Sequence, residues 1–129
     1  MHIPENVLQT VGIKGTAATK DNAEKGIAVV QDTAPDIVSG DQKVDVKTST
    51  TATEKIFGAI GAGGKVAKVK GLVIFQCAAA FTKANRGQTI VPDTTTAGKV
   101  AFHASNGVGK ALYGGNDSGG IGEWVAVLL

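Results

Sequence analysis

Short runs in which apolar and polar residues alternate, each closed by a glycine-rich break, fill the chain from residue 27 to its last position. Lys43-Val-Asp-Val-Lys-Thr48 sets Val44 and Val46 on one side and Lys43, Asp45 and Lys47 on the other, the period-two pattern of a half-buried strand. Ile27–Val30, Ile56–Ile60, Gln88–Pro92, Lys99–Ala104 and Val108–Tyr113 read as further short strands. The longest extended stretch is Lys65–Cys77. Its odd positions are almost all apolar, and its even positions change from Lys68 and Lys70 to Leu72 and Ile74. This predicts one long strand that bends at Gly71, wet on one face before the bend and dry on both after it. Ile121–Leu129 is apolar on both parities, which predicts a strand in the middle of a sheet or sealed at a subunit seam. Gly114–Gly120 reads as a surface loop.

Glycine supports this reading. The chain holds 18 glycines in 129 residues, about twice ordinary usage, with no collagen period and with clusters at the expected reversals. The length fits one domain. The expected fold is therefore all-β, a small β-barrel or sandwich over residues 27–129. Residues 1–26 are interrupted by Pro4, Gly12, Gly15 and Gly26 and show no sustained period, so they read as a weakly structured N-terminal arm. Ile3, Val7, Leu8, Val11 and Ile13 still place five aliphatics close together in that arm. These are too many for a freely solvated tail, and they are expected to bury against another protein surface.

The net charge of +2 hides an asymmetry. Residues 1–54 carry five lysines against eight acids, net −3; residues 55–129 carry seven lysines and one arginine against three acids, net +5. Lys65, Lys68 and Lys70 are the densest basic group. They read either as a solvated strand face that resists aggregation or as a patch that docks on an acidic protein. With a single arginine, Arg86, and no concentrated basic stripe, nucleic acid is not an expected partner. No apolar run approaches the roughly 18 residues of a membrane-spanning helix, so no membrane partner is expected. The start, Met-His-Ile-Pro-Glu-Asn, lacks the basic and apolar regions of a signal peptide. Cys77 is the only cysteine, so no internal disulfide exists.

The chemical motifs are near misses. Gly61-Ala-Gly-Gly-Lys65 and Asn106-Gly-Val-Gly-Lys110 lack the first glycine of a phosphate loop and its hydroxyl after the lysine, and both read as turns. Gly114–Gly120, with Asn116 and Asp117, lacks the alternating acids of a calcium loop. His2 and His103 with Cys77 show no zinc-ligand spacing. His103 near Ser105 comes without the Gly-x-Ser-x-Gly elbow of a hydrolase. Cys77 closes an apolar strand and reads as a small buried hydrophobe, not a nucleophile. No catalytic residue, metal ligand or cofactor is expected, and an enzyme is the least favoured class.

In order along the chain stand Lys43–Thr48, Ile56-Phe-Gly-Ala-Ile60, Lys65-Val-Ala-Lys-Val-Lys-Gly-Leu-Val-Ile-Phe75, Gly87-Gln-Thr-Ile-Val91, Gly98-Lys-Val-Ala-Phe102, Gly109-Lys-Ala-Leu-Tyr-Gly114 and Val125-Ala-Val-Leu-Leu129. In this order residues 27–129 resemble the capsid decoration, or cement, proteins of tailed bacteriophages. The resemblance implies a compact β-barrel that trimerises on the capsid exterior and has no catalytic residues. It implies a structural virion protein, made in the host cytoplasm, that bridges and stabilises major capsid subunits. It also implies that the N-terminal arm ties the molecule to the shell or to a neighbour. The competing class is a β-sandwich module for a glycan or host receptor, which would expect exposed aromatics; the chain has six aromatic residues in all.

Overall fold

The alternating runs build ten strands in the computed structural model, which describes residues 10–14, 26–31, 44–60, 66–117 and 122–129. The strands are β1 (Thr10–Lys14), β2 (Ala28–Gln31), β3 (Val44–Lys47), β4 (Ile56–Ile60), β5 (Val66–Lys68), β6 (Leu72–Cys77), β7 (Thr89–Pro92), β8 (Val100–His103), β9 (Lys110–Asp117) and β10 (Gly122–Leu128). The helical content of the described residues is one 3-10 turn, Lys83–Asn85. The fold is all-β, as expected.

The strands form two groups that face one another as a sandwich. In the first, the pairing order β1-β3-β2-β4-β5 returns on itself, because β1 bonds both β3 and β5. The second is an open sheet ordered β7-β8-β6-β10-β9. The two groups do not wrap jointly into one barrel.

Between them lies the larger core: Val73, Phe75, Cys77, Ile90, Val100, Ala111, Val125 and Val127 from the open sheet, met by Ala28, Ile56 and Ala59. Val29, Val46, Ile60 and Ala67 form a second core within the first group. β2 and β4 thus bury residues on both faces, which accounts for their almost unbroken apolar sequence. The joint between the groups is also hydrogen-bonded. Gln76 N–H donates to the Gly26 carbonyl at 3.0 Å, and Ala28 N–H to the Gly98 carbonyl at 2.9 Å.

The last strand takes the central place its two apolar parities predicted. β10 pairs with β6 on one side, Val125 opposite Phe75, and with β9 on the other. The structure differs from the expectation at four points. First, Lys65–Cys77 is not one strand. Gly71 adopts φ +86, which a side chain resists, and the turn sends β5 into the first group and β6 into the open sheet. Second, Leu72 and Ile74, expected dry, are 40% and 45% exposed. Their partners across β10 put them on the face turned away from the core. Third, the expected loop at Gly114–Gly120 is strand as far as Asp117. A methyl group on Gly114 would collide with the Trp124 carbonyl and the Phe81 ring, so glycine there admits close strand pairing and does not signal a loop. Fourth, the expected arm contains β1. Thr10-Val-Gly-Ile-Lys14 does alternate, too briefly to stand out, and backbone pairing on both edges fixes it. The turn expected at Gly61–Gly64 lies outside the described residues.

The β3–β4 connection is held by one buried hydroxyl. Ser49 accepts from Thr51 N–H at 3.0 Å and donates to Glu54 Oε1 at 2.7 Å, and Lys47 Nζ lies 3.5 Å from Glu54 Oε2. The Ser49 hydroxyl first, and Lys47 after it, hold the Glu54 carboxyl below its ordinary value of 4.5 against an opposing effect of partial burial. A depressed folded value means that the ionised state supports folding above 4.5, and that this support disappears as pH falls through the folded value. Glu54→Gln and Ser49→Ala should therefore flatten the acid limb of a thermal-midpoint profile; a limb identical to wild type would refute the assignment. Removing residues 124–129 takes out the strand that β6 and β9 share, so the truncated chain should show no cooperative urea transition. A folded truncation would contradict the central role of β10.

Candidate functional site

The residues expected at an interface fall into two groups. Ile3, Val7, Leu8 and Lys65 lie outside the described residues. Val11 and Ile13 belong to β1, opposite Ala67 and Val44. Lys68 ends β5 opposite Thr10, so strand pairing brings the end of the expected arm beside the basic strand. Lys68 and Lys70 are both exposed.

The surface that sequence reasoning missed is the outer face of the open sheet. The four large hydrophobic residues exposed among those described, Leu72 at 40%, Ile74 at 45%, Tyr113 at 47% and Leu128 at 49%, all lie on it. They are neighbours by register. Leu128 stands opposite Leu72, and Ala126 stands between Ile74 and Tyr113. Ala126 is itself fully buried. Trp124 lies edge-on to Tyr113, ring centroids 5.9 Å apart. Gly115 opposite Trp124 leaves room for the indole, whose ring atoms come within 3.3 Å of where a methyl group would stand. An antiparallel sheet that faces water ordinarily alternates apolar inside with polar outside. Here both parities of β6 and β10 are apolar, and on the outer one Leu72, Ile74 and Leu128 are exposed. Periodicity alone does not separate this case from a strand buried on both sides.

The isolated reactive residues are structural. His103 Nδ1 accepts backbone N–H bonds from Ser105 at 3.1 Å and Asn106 at 3.0 Å, so it organises the turn after β8. The Ser105 hydroxyl turns to Asn106 Oδ1 at 3.3 Å and not to the imidazole, so no serine–histidine pair forms. Thr89 Oγ1 donates to the His103 carbonyl at 2.8 Å and accepts from Gly107 N–H at 2.9 Å. Lys55 Nζ bonds the Asn106 carbonyl, tying the β3–β4 connection to this turn beside a shallow cleft of about 320 Å³. Cys77 is buried. Desolvation, and secondarily the Glu123 carboxylate, push its thiol up to about 11 against a smaller downward pull from Lys99. Among the described residues no three His, Cys, Asp or Glu side chains gather as a metal site, and no helix is long and apolar enough to cross a membrane.

No family model, curated protein or solved structure matches the chain.

A thiol held this far above neutrality and inside the core has almost no thiolate to react. Cys77 should resist a disulfide-exchange reagent in the native protein and react fully in denaturant. Rapid native labelling would show that the core around β6 opens readily.

Proposed function

We propose that the chain is a structural protein that works by docking: a capsid decoration protein of a tailed bacteriophage, trimeric, that binds the outer surface of assembled major capsid subunits and stabilises them. The observation that carries this reading is the contiguous apolar face formed by Leu72, Ile74, Tyr113 and Leu128. Monomers rarely leave such a patch open unless it meets another surface. The order of strands and glycines along residues 27–129, which resembles the decoration proteins, adds the identity of that surface. Binding the assembled lattice in preference to free subunits would stabilise the shell by mass action.

The glycan or receptor reading finds one exposed aromatic residue, Tyr113, set against the half-buried Trp124. Their perpendicular rings offer no shared flat platform, and their neighbours are aliphatic where a sugar site would need donors and acceptors. Docking on protein fits this face better. In the same reading Ile3, Val7 and Leu8, ahead of β1, tether the molecule to the shell, and Lys65, Lys68 and Lys70 face carboxylates on it.

Sedimentation of the full chain should give a trimer, and the protein should co-sediment with capsids that lack it. Deleting residues 1–9 spares every described strand and should preserve the circular dichroism spectrum. Losing roughly three aliphatic contacts of about 1.5 kcal/mol each should weaken capsid binding by more than about a hundredfold. A monomer that ignores capsids would overturn the proposal, and unchanged affinity after the deletion would remove the arm from the contact.

A further inference from the structure

We propose that Asn106 is a modification site, converted to aspartate and isoaspartate by ring closure onto the Gly107 backbone nitrogen, and that Thr89 and His103 restrain this reaction in the folded chain. The proposal is separate from the docking reading above and does not depend on it.

The chemistry belongs to the pair. Of the chain's five asparagines only Asn106 precedes a glycine. A glycine there leaves the attacking nitrogen unhindered and the main chain free to turn. The Gly107 nitrogen bonds to Asn106 Cγ, the Cγ–Nδ2 bond breaks, and the displaced amide proton leaves with Nδ2 as ammonia. Water then opens the imide ring at either carbonyl. One opening gives aspartate. The other gives isoaspartate, with the main chain routed through the former side chain. Asn106 is exposed, so water reaches it.

The fold both retains this pair and holds it back. A methyl group on Gly107 would collide with the Ile90 carbonyl and the Thr89 hydroxyl. A bulkier residue, which would slow ring closure, therefore has no room beside β7. The Gly107 N–H, on the nitrogen that must attack, donates to Thr89 Oγ1 at 2.9 Å. Before it, Asn106 N–H donates to His103 Nδ1 at 3.0 Å. After it, Ile90 and Val108 exchange backbone bonds, both at 3.0 Å. The Asn106 side-chain oxygen accepts from the Ser105 hydroxyl at 3.3 Å. Ring closure turns the Gly107 nitrogen toward the Asn106 side chain, so its N–H has to leave Thr89, and a half-buried donor that loses its partner is costly. Isoaspartate would lengthen the main chain between points anchored on both sides. Either product adds a carboxylate to residue 106, whose carbonyl Lys55 Nζ already bonds. Ageing would thus alter the link between this turn and the β3–β4 connection.

The test is the rate of conversion at Asn106 in the full chain held at mildly alkaline pH, read by peptide mass spectrometry with the isoaspartyl form separated by chromatography. The urea-unfolded chain should convert at least severalfold faster than the native one. Thr89→Val removes the acceptor of the Gly107 N–H and should raise the native rate severalfold. Thr89→Ser keeps the hydroxyl and should convert as wild type does. If Thr89→Val loses its native circular dichroism, His103→Ala, which removes the acceptor of the Asn106 N–H, decides in the same way. No conversion in urea would overturn the modification site. Equal rates in the native and unfolded chains, or folded variants as slow as wild type, would overturn the restraint by Thr89 and His103.

Discussion

Everything in the fold depends on two short strands that are buried on both sides. β2 and β4 present Ala28, Ile56 and Ala59 to the open sheet, and Val29 and Ile60 to the interior of their own group. A strand in that position has no solvent face to carry polar residues, so its composition is confined to small and branched apolar side chains. It also couples the two cores: a change of volume on one side of β4 is transmitted to the other through a backbone that cannot shift far. The hydrogen bonds from Gln76 to Gly26 and from Ala28 to Gly98 fix the joint further. The open sheet is thereby presented rigidly, with its inner face covered and its outer face available.

What was legible in the sequence was the class and much of the strand inventory. Period-two runs such as Val44–Lys47 and Val100–His103, and the double apolar parity of β10, depend on local patterning and on burial, and the structure places them accordingly. The bend at Gly71 was legible as well. Its consequence was not, because a glycine with positive φ shows where a chain turns and not which sheet it enters next. β1 was missed for a related reason. Its five residues are held by backbone bonds to β3 and β5, and backbone bonds leave no side-chain signature. Gly114 misled in the opposite sense: it is a strand residue that makes room for Trp124 and Phe81.

The candidate surface was half legible. Basic residues at Lys68 and Lys70 and the charge asymmetry between the two halves of the chain can be read from composition. The apolar face cannot, because Leu72, Ile74 and Leu128 carry the same pattern whether covered or open, and only the placement of β6 beside β10 shows which. His103 and Cys77, the residues a reader would first test for chemistry, are used up in a turn and in the core.

The pairing of β6 with β10 has a kinetic meaning as well. Val125 meets Phe75 across fifty positions of chain, and the β9–β10 pair joins β7, β8 and β6 in one sheet only when that contact forms. Non-local pairing of this kind folds slowly, because the entropy of closing the intervening loop is lost before any contact repays it. During that interval β6 offers apolar residues on both faces and an unpaired edge, the conditions under which nascent chains associate wrongly. Yield of the folded protein should therefore respond to expression temperature and chaperone supply more than its final stability would suggest.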